Sequence, residues 1–271
     1  MARETLPTAL ALMFGHEGGY VNSKSDRGGP TKYGITHKTL AAHRGVLSVT
    51  AAQVKALTLK EAEEIYRRSY WTQSGGDLLP AGLDYAAFDY GVNSGPARAV
   101  KSLQKVVGVT QDGIVGGQTL AAVERYPGGV QSLIRAYCDE RMRFLRSLGG
   151  KQGFSANGRG WTIRVTGKDP KGQWKDQPGV VGNALRLAAG TQTVENPPVT
   201  GGGVDSGKAN PADRSVTDIV KDEPSLVVSL LSALGAFAAG AGPVQWALAA
   251  AVVAGVGYAI YRLVKRERAN G

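Results

Sequence analysis

A single cysteine, Cys138, occurs in the 271 residues. That excludes an internal disulfide framework, and its helical neighbours point to a buried, inert thiol. The three histidines, His16, His37 and His43, have no metal-type spacing, so no zinc site is expected. Helix-turn-helix, zinc-finger and RNA-binding signatures are missing, which disfavours nucleic acid as a partner. Alternating strand patterns are almost absent and there is no internal repeat, which argues against an all-β fold. A cleavable signal peptide is not expected either. The first apolar run is short and Gly15-His16 interrupts it.

What is present is positive charge. The net charge is +10, and residues 191–271 hold seven Lys/Arg against seven Asp/Glu. Residues 1–190 therefore carry the whole excess. A cationic globular part favours a polyanionic partner. Bacterial cell wall and nucleic acid both qualify, and the missing nucleic-acid motifs favour the wall. A merely soluble basic surface is the plainer alternative.

The first 190 residues read as helices. Thr50 is a candidate cap for Ala51 to Leu57, and Thr58-Leu-Lys-Glu61 reads as a capping box before a helix from Ala62 to Trp71. Pro96 suits the first turn of a helix that reaches Val107 and closes at Gly108. Val130 to Leu148 is the longest segment, with Leu133, Ile134, Tyr137, Cys138, Met142 and Leu145 on one face. Residues 149–160 are rich in glycine and polar groups and read as a loop. The glycines from Asn22 to Gly34 allow at most a short β-hairpin. The fold class expected is mainly α.

Residues 191–224 have few large apolar groups and read as a flexible linker. The character then changes. Pro243 to Val264 is apolar except for Gln245 and Arg262, with Trp246, Tyr258 and Tyr261 near its ends. That is long enough to span a bilayer, with aromatic rings at interfacial positions and a basic tail beyond. Leu226 to Ala241 is a second apolar stretch, rich in small residues, that either packs against the first as a two-span hairpin, the favoured reading, or lies in the membrane interface. One span puts the basic part across the membrane from the tail; two spans return it to the same side.

One carboxylate stands out. Leu6, Leu10 and Met13 fall at helical spacing, and Glu17 continues their stripe. A glutamate on the core side of a helix loses water, which raises its pKa and suits it to general-acid work; the plain alternative is a helix-terminal glutamate paired with a nearby Arg or Lys. Gly18 and Gly19 let the chain turn and let a ligand approach the backbone. Tyr20 offers a flat face for a sugar ring. A glycosidase needs a second group, base or nucleophile. Asp26, nine residues on in the glycine-rich segment, is the first candidate, with turn formation as its plain alternative. Asp84 and Asp89 are lesser candidates. Thr31, Tyr33 and Thr36 are candidates to hold sugar hydroxyls, although Thr36 also suits the cap of a helix beginning at His37. Lys32 is a candidate to hold an anionic part of the substrate, or is simply solvated. Trp71, Asn93 and Trp161 are candidate wall contacts, set against the commoner fate of aromatics, which is the core. Asp112-Gly113 reads as a turn.

The same stretch, His16-Glu-Gly-Gly-Tyr followed by Asp26-Arg-Gly-Gly-Pro-Thr-Lys-Tyr-Gly-Ile-Thr36, resembles the amino-terminal signature of the glycoside hydrolase family 108 muramidases. Asp84 to Pro96, Asp112-Gly113, Arg141 to Leu148 and Gly160-Trp161 resemble the predicted peptidoglycan-binding half that accompanies it. The resemblance covers about residues 5–190. It implies a lysozyme-like helical domain, catalysis by Glu17 in its Glu-Gly-Gly motif, and cleavage of the β-1,4 bond between N-acetylmuramic acid and N-acetylglucosamine. Neither metal nor organic cofactor is implied. The organisation expected is a muramidase region over 1–92, a peptidoglycan-binding helical region over 93–190, a linker over 191–224 and one or two transmembrane helices over 225–271. Its partners would be peptidoglycan, the bacterial inner membrane and, as a candidate, a holin. The expected context is a phage or prophage endolysin tethered to the host inner membrane, with its head acting on the periplasmic wall. A wall-binding or secretion-assisting module and a holin-like membrane protein are the competing expectations.

Overall fold

The computed structural model describes residues 5–16, 19–22, 29–150 and 153–190. Among these lie ten α-helices, a π-helical turn and a two-stranded antiparallel sheet. The mainly helical expectation holds. The linker and spans expected over 191–271 lie outside the described residues. No helix among the described residues is long and apolar enough to cross a membrane.

Helix α1 (Thr5–His16) comes first. Strands β1 (Thr31–Lys32) and β2 (Ile35–Thr36) follow, with Thr31 opposite Thr36 and Lys32 opposite Ile35. Helices α2 (His37–Arg44), α3 (Ala51–Lys55) and α4 (Leu59–Tyr66) then share one device. Thr36, Thr50 and Thr58 each hold an extended backbone while the hydroxyl accepts the N–H of the third residue on, at 3.2 Å in all three. The reciprocal capping box is at Thr50, whose own N–H donates to Gln53 Oε1 at 2.8 Å. At Thr58 the box is one-sided, because the Glu61 carboxylate turns away to take a fork from Arg44 at 2.8 and 2.9 Å. The single helix expected to Trp71 also changes form. It is α-helical to Tyr66, and Arg67–Trp71 widen into a π turn.

Helix α5 (Leu83–Ser94) is the axis of the molecule. All twelve of its residues are buried, among α1, the π turn, α6 (Pro96–Val107), α8 (Gly129–Arg146) and α10 (Gly179–Ala188). Gly82, at φ +86°, lets α10 close on its start, since a Cβ there would meet the Ala184 carbonyl oxygen at 2.2 Å. Helix α6 begins at Pro96 and closes on left-handed Gly108, as read from sequence. The turn at Asp112-Gly113 is built on Gln104, whose amide donates to Asp112 Oδ1 at 2.6 Å and accepts from Gly113 N–H at 2.9 Å. It leads into α7 (Gly117–Glu124). The α8 stripe from Leu133 to Leu145 is buried, Cys138 included, and burial pushes that thiol up to about 12.

The loop expected over 149–160 is shorter than its composition suggested. Helix α9 (Phe154–Thr166) already begins at Phe154. Gly158 lies against the Phe154 ring, where a Cβ would come within 2.8 Å. Arg159 grips Asp169 through two 2.9 Å hydrogen bonds. The helix packs on α8 and α10 with Trp161 and Val165 buried in the core, and these tertiary contacts stabilise a helix that local propensity disfavours. A single hydrophobic core takes side chains from α1 through α10, on both sides of residue 92.

Candidate active site

The amino-terminal end of the molecule gathers several predicted residues. Glu17 and Asp26 lie outside the described residues. The described chain resumes after the Glu17-Gly18 pair at Gly19. Val21 then pairs with Thr31 through two 2.8 Å backbone hydrogen bonds. This bridge joins the chain just downstream of α1 to the hairpin. Tyr20, half-buried against the core, therefore sits beside β1.

The hairpin turns on Tyr33-Gly34. Both have positive φ, +50° and +70°. A two-residue loop of that kind is a type I′ turn, which favours Asn-Gly. Tyrosine in the left-handed region costs roughly 1 kcal/mol, and such strain concentrates at functional sites. Three contacts hold it. The Tyr66 hydroxyl donates to the Tyr33 carbonyl at 2.8 Å. Phe14, from the last turns of α1, meets the Tyr33 and Tyr66 rings edge-on at 6.1 and 5.5 Å. The Lys32 ammonium lies 5.1 Å from the Tyr33 ring centre.

The other hairpin side chains have defined tasks. Thr31 donates its hydroxyl to the Gly29 carbonyl at 3.0 Å. Thr36 caps α2 and also shares a hydrogen bond with the Thr39 hydroxyl at 3.0 Å. Lys32 corrects the expectation of a substrate anchor. It donates to the carbonyls of Lys55 and Leu57 at 2.8 and 2.9 Å and so ties β1 to the end of α3. A cation at a helix carboxyl end also suits the helix dipole.

Trp71, Asn93 and Trp161 are not brought to this neighbourhood's surface. Trp71 is 0% exposed, stacked edge-on to Phe88 at 5.6 Å with its indole N–H on Asp77 at 3.0 Å. Trp161 is 1% exposed beside Phe154. Asn93 is 3% exposed and accepts the Ser94 hydroxyl at 3.0 Å. Aromatic surface is more stabilising buried than exposed, and the wide π turn places Trp71 inward.

The lesser carboxylates are structural as well. Asp84 is buried at the start of α5, and Oδ1 accepts from the N–H groups of Gly82 and Tyr85 at 2.7 and 2.6 Å. Burial pushes it up to about 7 despite these bonds. Asp89 is 1% exposed between two guanidiniums. Arg141 Nη1 lies 2.7 Å from Oδ1, and Arg164 reaches the carboxylate with Nε at 3.2 Å and Nη2 at 3.0 Å. Burial alone would raise the Asp89 pKa, but the two cations hold it well below the usual carboxylate range. This buried triad was invisible in the sequence, where its members stand up to 75 positions apart. Tyr66 was missed for the same reason, since it stands 33 positions from Tyr33; for Phe14, its aromatic character three residues before Glu17 was a usable signal.

The fold is thus that of a helical head with a small hairpin beside the carboxyl end of its first helix. Residues 10–95 match the family model described as Glycosyl hydrolase 108, and residues 98–166 match the Predicted Peptidoglycan domain. The chain is similar to SagA of Brucella abortus, at 45% identity over 69% of this chain and 97% of that one, with a TM-score of 0.59. No curated protein matches it. The chain belongs to glycosyl hydrolase family 108. It is a glycoside hydrolase that acts on peptidoglycan, with a peptidoglycan-binding domain behind the catalytic one.

Proposed function

We propose that this hydrolase is an N-acetylmuramidase. It cleaves the β-1,4 bond between N-acetylmuramic acid and N-acetylglucosamine, with Glu17 as general acid and Asp26 as the second carboxylate. The acid protonates the departing sugar oxygen, and the second group activates water or attacks the sugar. Tyr20 and Tyr33 give the sugar rings apolar faces, while Thr31 and Thr36 offer hydroxyl oxygens to sugar hydroxyls and N-acetyl groups. The observation that carries this reading is the Val21–Thr31 bridge. It draws a strained, aromatic-tipped hairpin next to the chain that leaves the Glu-Gly-Gly motif, inside the segment that matches the hydrolase family. The excess positive charge of residues 1–190 supports an anionic polymer as substrate.

The tail gives the setting. Read as a single span over Pro243 to Val264, the tail tethers the head to the host inner membrane with the head across the membrane from the basic tail, facing the periplasmic wall as a phage or prophage endolysin. A holin is the candidate partner for its passage. Removing residues 191–271 leaves hydrolysis of isolated wall intact under this reading and abolishes membrane association. Release of reducing ends from purified peptidoglycan, compared between wild type and Glu17→Gln, tests the chemistry. The substitution keeps shape and removes the transferable proton. Equal release by the two proteins contradicts the assignment.

A further inference from the structure

We propose that Arg164 is a positioning residue for the general acid. It fixes the last turns of α1, the helix whose next residue in the chain is Glu17, and the inference rests on the reading of Glu17 given above.

The geometry is that of a three-helix clasp. Arg164 comes from α9, Asp89 from α5 and Met13 from α1. One nitrogen, Arg164 Nη2, lies 3.0 Å from Asp89 Oδ2 and 3.3 Å from Met13 Sδ. The guanidinium is planar, so once Nε and Nη2 sit on the carboxylate the direction of the remaining Nη2 proton is set, and it meets the thioether. Arg141 holds the carboxylate from a second direction at 2.7 Å. All four side chains are at least nine-tenths buried.

Apolar packing alone does not fix α1 along its axis. Ala9 and Leu12 are fully buried on the same helix, but hydrophobic contact is non-directional. The clasp adds direction four residues before Glu17. Catalysis is sensitive to such placement, since about 1 Å of error at a reacting group costs roughly 100-fold. Both guanidiniums lie in the segment that matches the peptidoglycan domain, while Asp89 and Met13 lie in the hydrolase segment. The second domain therefore serves the chemistry through the placement of α1, besides any grip on the wall.

The test uses the full chain and a short soluble glycan of alternating N-acetylglucosamine and N-acetylmuramic acid, which makes no demand on wall binding. Arg164→Lys keeps the charge and loses the fork. Met13→Leu keeps volume and loses the sulfur. The expected result is kcat about tenfold lower for Arg164→Lys, lower still for Arg164→Met, and about threefold lower for Met13→Leu, with KM within about twofold of wild type. Pelleting with insoluble wall and cooperative thermal unfolding above the assay temperature are expected to persist. A merely structural arginine would lower activity only in step with the folded fraction, and Met13→Leu would be silent. Folded Arg164→Lys with wild-type kcat overturns the proposal. If that variant does not fold, wild-type kcat in Met13→Leu overturns it. A wild-type enzyme that releases no reducing ends brings down the muramidase reading first and this inference with it.

Discussion

The hydroxyl of Tyr66, at the last α-helical position before the π turn, donates to the main-chain carbonyl of Tyr33 at 2.8 Å. It links the buried α4 face to the strained tip of the hairpin. Tyr66→Phe removes this bond without opening a cavity. The expected cost is about 1 kcal/mol, or about 2–4 °C in thermal midpoint for a domain of this size. Differential scanning calorimetry reads it.

Tyr33 itself separates fold from function. Asparagine tolerates the left-handed turn better than tyrosine, so Tyr33→Asn relieves roughly 1 kcal/mol of strain. Loss of the edge-on contact with Phe14 offsets about the same amount. Stability should therefore stay near wild type. Glycan affinity, measured by calorimetry in a Glu17→Gln background, should fall for Tyr33→Asn and persist for Tyr33→Phe, because only the phenyl face is asked to meet the sugar.

Asp89→Asn leaves two buried guanidiniums without their anion. Breaking a buried pair costs about 3–5 kcal/mol, which urea unfolding at pH 7 measures. The acid side gives a second check. The folded pKa of Asp89 lies below its unfolded value, so its contribution is fully present above about pH 4 and is lost as pH falls through the folded value. The gap between wild type and variant should therefore narrow below about pH 4.

Asp84 predicts the opposite trend. Burial raises its folded pKa to about 7, above the unfolded value of about 3.9. The folded state then holds a proton that the unfolded state has lost, so stability falls as pH rises from about 4 to about 7 and levels off beyond. Asp84→Asn retains an oxygen for the Gly82 and Tyr85 N–H groups. It should match wild type near pH 4 and equal or exceed it at pH 8, as thermal midpoints across pH would show.

What the sequence disclosed follows from the range of the forces involved. Pro96 and Gly108 bound α6 because their effects are local and stereochemical. The α8 stripe was legible because nineteen residues of helical period admit one buried face. Helix α9 was hidden because Gly158 and Gly160 lower its propensity, while the packing on α8 and α10 that holds it acts at tertiary range. The site divided the same way. Thr36 announced its capping role by preceding His37, whereas Lys32 gave no sign that its ammonium ends on α3. Trp71 and Trp161 look alike as wall contacts or core residues until the π turn and α9 place them. The Asp89 triad joins three helices, and no local pattern encodes such a meeting.

The most direct measurement is mass spectrometry of the muropeptides released from purified peptidoglycan by wild type and by Glu17→Gln. The account predicts disaccharide-peptides ending in N-acetylmuramic acid from the wild type, and their loss from a variant that still folds and still pellets with wall. Wild-type products that end in N-acetylglucosamine, or undiminished release by Glu17→Gln, would contradict it.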